Sequence, residues 1–585
     1  RLRSRGLGDV YKRQIMKLTS KIYLLFIGCF VPVINYGQQL YKPAHFESPR
    51  SMPIQSVPVS KTINVVDYGA CPDDNKNDWP AICRALAECE RSGGGVRILF
   101  PKGIYQIKVG ERKSKLTHAF SLSNVSDFII EGDGAILILE NPDVALMTLK
   151  NCQAGVIKGL TIDYKTLPFT QGAVVDVDIN GKTFTFRSDG KGGRPTDDNF
   201  AKSKTKWGVL FDRENNRLLK DKAPNLVPIR EVSNLGDKNL FRIVTTQNVI
   251  EQIAVDDPFA MIARYNGCST YSVNQCRQIT FLNNIHYAGP AGSFGLREST
   301  GISIVNCKIQ QKEDRLISQN ADCVHVTPSY EGPWIEGCLF EGQMDDAINI
   351  KTELVYILKA ISDNQFLVSA KLRVNDELSL FNPREGRLIG TCRVLEAVPM
   401  DDATKIKIDA RFENLQIGRD KTKDMFFNDS KSNDNFVIKN NVFRNSRRYG
   451  MLIQAKNGII EGNILENLST GAITLQNSAS WPEGFVPRNI VIENNKIRNA
   501  GFDRSYWAEG KDIAPILIRT TTVNKKQAEW KGIRNIRIKD NEIISNSDHT
   551  IFLSGAQDIV IEKNRNDAQS DAPYYQENCD NVIIK

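Results

Sequence analysis

Three aspartates carry the strongest chemical signal in this 585-residue sequence. The segment Asp322-Cys-Val-His-Val aligns with Asp346-Ala-Ile-Asn-Ile at an interval of 24 residues, and Asp345 directly precedes the second segment. A bare Asp-Asp pair says little here, because Asp73-Asp74, Asp197-Asp198, Asp256-Asp257 and Asp401-Asp402 also occur, and most such pairs are solvated turns. The repeated context sets residues 345–346 apart. Two like-charged carboxylates held in register repel, which raises one pKa or recruits a cation. A purely structural protein has little reason to accept that cost. Three carboxylates so arranged fit an inverting glycosidase: one protonates the leaving oxygen, and one or two activate water across about 6.5–9.5 Å. Asp345 is assigned as the acid and Asp322 with Asp346 as the water-activating pair, with an exchange between Asp345 and Asp346 left open. The competing reading is that the three cap turns or hold a structural calcium.

Holding such a cluster in register requires a repeat, and one is present. The motif apolar-x-x-(Asn/Cys)-x-apolar recurs as FLNNIH at 281, IVNCKI at 304, IEGCLF at 335, IKNNVF at 438, IEGNIL at 460, IENNKI at 492, IKDNEI at 538 and IEKNRN at 561. The unit of about 22 to 23 residues has short β-branched strands, Gly and Asn at the bends and no helical period, which predicts the coils of a parallel β-helix. Like residues then stack in columns about 4.8 Å apart. Cys307 and Cys338 hold the position of Asn441, Asn463, Asn495 and Asn541, so they read as members of an internal ladder and not as metal ligands.

The exposed edge of the first coil needs a cover. Residues 78–91 predict a capping helix, with Asp78 as N-cap, Pro80 in the first turn, and Ile82, Ala85, Leu86 and Cys89 on one face. The first coils then run over 60–165. Two stretches interrupt the repeat. In the first, 166–256, Asn180-Gly181 between alternating strands predicts a type I′ hairpin. The second, 352–432, again reads as antiparallel hairpins and starts just after the second aspartate segment. Both are expected as small β-barrels inserted into an all-β, right-handed parallel β-helix. The central coils span 257–351 and the C-terminal coils 433–585.

Residues 1–15 read as a non-native leader and 16–37, with two lysines, an apolar run from Ile22 to Ile34 and a small residue at Gly37, as a secretory signal. The expected location is secreted or periplasmic, with outer-membrane association through lipidation at Cys29 as an alternative, and no integral span. Without 1–37, which hold seven Lys/Arg and one Asp, 69 basic and 67 acidic side chains remain. That balance, without a basic block, argues against nucleic acid. No Cys or His spacing suits zinc, and no metal or other cofactor is expected. Cys71, Cys83 and Cys89 are close enough in sequence for one local disulfide.

At the aspartates the sequence also resembles a known family. ADCVHV at 321–326 and EGCLFEGQMDDAINI at 336–350 resemble the central motif of glycoside hydrolase family 110, and NVVDYGA with GGGVRILFPKGIY resembles the opening of the pectate-lyase-like β-helix superfamily. The family 110 resemblance implies a β-helical exo-enzyme that removes terminal α-1,3-linked galactose from a glycan with inversion and without a metal. It also implies substrate binding at Trp481 and Glu483. The residues agree, since Trp offers an apolar face to a sugar ring and Glu accepts hydroxyl hydrogen bonds; otherwise Trp481 is a loop residue packed on its own coil. Met344 and Ala347 depart from the family pattern of His before and Pro after the Asp pair, which puts the sugar subsite in question.

His325 and Asn349 follow the aspartates at equivalent positions and are candidates to face the same cleft, against a turn or ladder role. Arg448 is a candidate to bind sugar hydroxyls or orient a carboxylate, against a surface salt bridge. His286 and Lys351 are further candidates. Polygalacturonases also place a lone Asp one coil before an Asp pair, but their Asn-Thr-Asp, Gly-His-Gly and Arg-Ile-Lys motifs are missing from this sequence. A hydrolase of another specificity, a calcium-dependent lyase and a non-catalytic glycan-binding β-helix stand as the alternatives.

Overall fold

The structure is a computed structural model that describes residues 56–110, 117–220, 223, 226–477, 479–481, 483–503, 514–567 and 572–585. The expected leader, signal segment and Cys29 lie outside the described residues.

Each coil contributes up to three short parallel strands, so the chain builds three walls. In the coil that carries the Asp pair these strands are Trp334–Glu336, Leu339–Glu341 and Ile348–Ile350. The third wall is an eleven-stranded parallel sheet running from His118–Ser123 to Tyr574–Glu577. Inward-facing Ile, Val, Leu and Phe from all three walls form one continuous core.

The sequence motif is the bend between the first and second walls. Its third residue takes the left-handed conformation at Asn283, Asn306, Gly337, Asn440, Gly462, Asn494, Asp540 and Lys563. Asn, Asp and Gly enter that region at low cost, which explains their recurrence. The next residue points inward and meets the backbone N–H groups that the bend buries, and these need partners. Asn463 Oδ1 accepts from the Asn441 N–H at 3.0 Å, and Asn463 Nδ2 donates to Asn495 Oδ1 at 2.9 Å. The ladder continues to Asn541 and Asn564 and ends upward at Cys338, whose N–H donates to Asn441 Oδ1 at 2.9 Å. Cys307 stacks above Cys338 as the ladder predicts.

The capping helix is present at Trp79–Ser92 and buries Ala81, Ile82, Ala85, Leu86 and Cys89. Asp78 does not cap it through its side chain. Both carboxylate oxygens instead accept from outside the helix, from the N–H groups of Cys71 at 2.8 Å and Gln106 at 2.9 Å. The expected disulfide does not form, because Cys89 faces the core, Cys71 lies on an exposed turn and Cys83 is half-buried; all three are free thiols.

The first insertion leaves the second wall after Tyr164 and returns to the third wall at Tyr271. It was expected as a barrel and is a seven-stranded antiparallel sheet from Phe169 to Ile262, whose two outer strands, Val227–Pro228 and Glu231–Asn234, do not pair with each other among the described residues. One face packs on the β-helix core through Trp207, Val209 and Phe211, and the other has its own core of Phe184, Phe186, Phe241 and Phe259. A sheet with two buried faces has no need to curl on itself. Its first hairpin does not use a two-residue turn: Asp178 pairs with Thr183 across four residues, Asp178 Oδ1 accepts the Gly181 N–H at 2.9 Å, and Lys182 takes the left-handed position. The second insertion, running from Leu354–Ser362 to Met425–Asn428, is a closed six-stranded barrel.

The ladder makes a specific demand on stability. Asn463→Ala strips the acceptor from the buried Asn441 N–H and Nδ2 and a donor from Asn495 Oδ1 on the next coil, and is expected to cost about 2 kcal/mol by denaturant midpoint. Cys338→Ala, which leaves the Asn441 bonds in place, is expected to cost less.

Candidate active site

The aspartates sit where the second wall turns into the third. Val324–Val326 pairs with Ile348–Ile350, and that strand pairs with Met451–Ile453, each at fixed register. Asp322 and Asp346 therefore occupy one column, confirmed by the Asp346 N–H donating to Asp322 Oδ1 at 3.2 Å. The neighbouring column sets Asp345 over Arg448. One carboxylate oxygen from each of the three aspartates lies within 4.8 Å of the others. That is tighter than the separation expected from the sequence.

Each aspartate of the column has a partner three residues on. His325 Nδ1 lies 2.5 Å from Asp322 Oδ2, and Asn349 Nδ2 donates to Asp346 Oδ2 at 3.2 Å. Both residues thus meet the site by orienting its carboxylates. Arg448 bridges the Asp pair, its Nε 3.6 Å from an oxygen of Asp345 and 3.6 Å from one of Asp346. Glu483 pairs with Lys351 and accepts from Gln454 Nε2 at 3.5 Å. Its loop is tied to the stem of the second insertion by the Thr352 N–H, which donates to the Gly484 carbonyl at 2.8 Å. Trp481, in the same loop, is 71% exposed, so the reading of a Trp packed on its own coil does not hold. His286 is not in the cleft: it is fully buried between Tyr271 and Phe294, and burial lowers its pKa to about 3.

Two arginines were missed in the sequence. Arg264, just beyond the last strand of the first insertion, places Nη1 3.0 Å from Asp345 Oδ2. Arg447 is buried, donates from Nε to the Met344 carbonyl at 2.7 Å, and places Nη2 3.7 Å from Asp345 Oδ1. Subtracting the second insertion brings Arg447-Arg448 one coil below Met344-Asp345, so a signal for Arg447 existed. Nothing in the local sequence marks Arg264, which arrives through tertiary packing.

The charges are unequal as a result. Burial opposes ionisation of Asp345, but the guanidiniums of Arg448, Arg264 and Arg447 outweigh it and hold its pKa at about 2. Burial pushes Asp346 well above the ordinary carboxylate range; the negative charges of Asp322, Asp345 and Glu483 add to this, while Arg448 opposes it. The stacked Asp322 charge thus contributes to the rise as expected of paired carboxylates, but burial is its main cause. Asp345 is the most exposed side chain of the three, at 18% against 11% for Asp322 and 4% for Asp346. An oxygen-rich cluster of this kind suits a hard cation, while three guanidiniums bring positive charge to Asp345, one of them also to Asp346.

The family described as right handed beta helix region matches residues 426–585, and the family described as rhamnogalacturonase A/epimerase, pectate lyase-like, matches residues 62–120. Alpha-1,3-galactosidase B of Akkermansia muciniphila is 22% identical and aligns over 89% of this chain and 69% of its own length. Alpha-1,3-galactosidase B of Phocaeicola vulgatus is also 22% identical, over 89% of this chain and 92% of its own. Among solved structures, the family 28 exopolygalacturonase of Yersinia enterocolitica is 12% identical, covering 89% of this chain and 78% of its own, with a TM-score of 0.41. Fold and relatives define the class: this is a glycoside hydrolase built on a right-handed parallel β-helix. Within that class the chain is similar, at 20–22% identity, to alpha-1,3-galactosidases.

The charge pattern has a sign that stability reports. With the Asp345 pKa lowered from 3.8 to about 2, its contribution is present above the ordinary carboxylate range and is lost as pH falls through the lowered value. Asp345→Asn, which leaves three cations facing a neutral amide, is expected to cost about 3 kcal/mol at neutral pH, and the gap to wild type should close toward pH ~2. Asp346→Asn is expected to do the reverse and raise the melting temperature by a few degrees at neutral pH, because it removes a buried carboxyl that resists charging. Thermal melts of both variants across pH check the pair of signs.

Proposed function

We propose that this protein is an exported exo-α-galactosidase that removes terminal α-1,3-linked galactose from glycans by inversion and without a metal. The observation that carries the reading is the cluster of three carboxylates fixed by coil register, with an oriented partner on each member of the Asp322–Asp346 column. The relatives' printed activity supports the linkage and the sugar.

In this reading Asp322 and Asp346, adjacent on successive coils, hold and deprotonate a water, and His325 and Asn349 keep their carboxylates aimed. Asp345, the most exposed of the three, reaches the leaving oxygen and protonates it. Geometry takes precedence over the resting charge in choosing the donor. The assignment requires that bound sugar weaken the guanidinium clamp on Asp345 and that the proton resting on Asp346 pass to Asp345, so that the acid is protonated and Asp346 is ionised when the bond breaks. Trp481 supplies an apolar face for a ring near the cleft mouth, and Glu483, held by Lys351, accepts from a sugar hydroxyl. Inversion rests on this arrangement of roles and not on the separation of the carboxylates. Export rests on the N-terminal segment at 16–37.

Two measurements test the reading on a defined α-1,3-galactoside. Asp345→Asn is expected to lower kcat by about 10²–10⁴-fold while keeping more activity on an aryl galactoside whose leaving group needs no proton. If Asp346→Asn shows that leaving-group signature in its place, the donor is Asp346. Proton NMR of the first product should show β-galactose, and a chelator should leave the rate unchanged. Release of α-galactose would remove inversion from the proposal.

A further inference from the structure

The first insertion is more than a decoration on the β-helix, because two of its residues close on Asp345. Arg264 reaches Asp345 Oδ2 at 3.0 Å. From the other side, the ring of Trp207 covers the face of the Arg447 guanidinium, with Arg447 Cζ 4.3 Å from the ring centroid. Trp207 is buried, in the strand Trp207–Leu210 that packs against the β-helix. A guanidinium stacked on an aromatic face keeps its edge free for hydrogen bonds while its plane is fixed. The Arg447 edge is used in this way, toward the Met344 carbonyl at 2.7 Å and toward Asp345 Oδ1 at 3.7 Å.

We infer that Trp207 is a positioning residue: by stacking on Arg447 it fixes the guanidinium that holds Asp345, so that the first insertion is a working part of the active site. The inference rests on the proposed catalytic role of Asp345. The groups that face Asp345 are Arg264 from the insertion, Arg447 and Arg448 from the next coil, and Asp346 and Asp322 from the neighbouring column. Loosening Arg447 removes one of three cations and leaves the two anions, so ionisation of Asp345 becomes harder.

Trp207→Leu is therefore expected to move the limb of the pH–rate profile governed by Asp345 to higher pH, because a looser clamp lets the acid keep its proton, and to lower kcat on an α-1,3-galactoside by about 10-fold with little change in KM, because the carboxyl loses its aim. Trp207→Phe, which keeps an aromatic face, should restore most of both. If the Leu variant does not fold, Arg447→Lys, which keeps the charge but loses the stacked fork, should give the same shift. A fall in kcat with the pH profile unmoved would mean a merely structural role and would overturn the inference, as would wild-type behaviour of Trp207→Leu. Asp345→Asn run in parallel separates the two claims. If that variant stays active, the catalytic reading fails; if it is inactive while Trp207→Leu matches wild type, only the positioning role fails.

Discussion

Every feature of the site depends on the register of hydrogen bonds between successive coils. In a parallel β-helix that register sets which side chain lies above which, and a slip of one residue would turn each outward group inward. The bends hold it. A left-handed residue followed by an inward amide locks each coil to the next from Cys338 through Asn441, Asn463, Asn495 and Asn541. The stacking of Asp322 on Asp346, and of Asp345 on Arg448, is the same periodicity expressed on the outer surface.

Stacking like charges is unfavourable, and the fold meets the problem unevenly. The Asp322–Asp346 column has His325 and Asn349 as hydrogen-bond partners and a single guanidinium, that of Arg448 at Asp346, so burial, with the remaining repulsion, keeps the pKa of the more buried member raised. The Asp345 column is flooded with positive charge. At rest one part of the cluster therefore favours a proton and the other a charge, within a few ångströms, and the proposed roles call for that proton to move from Asp346 to Asp345 when substrate binds. Acid–base chemistry uses such a difference, and it comes from placement, since all three residues are aspartates.

The β-helix was legible because its signal is repeated: each coil repeats the same bend for the same steric reason, and insertions lengthen the interval without erasing the motif. The aspartates, His325, Asn349 and Arg448 were legible through that periodicity, since residues at equivalent places in successive coils must be neighbours. What the sequence concealed is what depends on contacts between distant segments. Asp78 looks like a helix cap by local pattern, but the N–H groups of Cys71 and Gln106 claim its carboxylate. Asn180-Gly181 looks like a two-residue turn, but the Asp178 side chain closes a longer one. The first insertion reads as strands without revealing that both faces of its sheet would be covered, and Arg264 has no periodic partner to announce it.

Asn320, two residues before Asp322, is fully buried, and its side-chain Nδ2 donates to the carbonyls of Pro168 at 2.7 Å and Ala263 at 3.1 Å, the two stems of the first insertion. A single amide thus closes the base of a side loop about ninety residues long, next to a catalytic candidate. Topologically the insertion is a detachable module, because what happens between its stems need not disturb the coils. In evolutionary terms, any sheet grafted onto those stems would arrive beside the carboxylates. The β-helix can stay constant while the grafted piece changes which partners, and hence which chemistry, the aspartates are given.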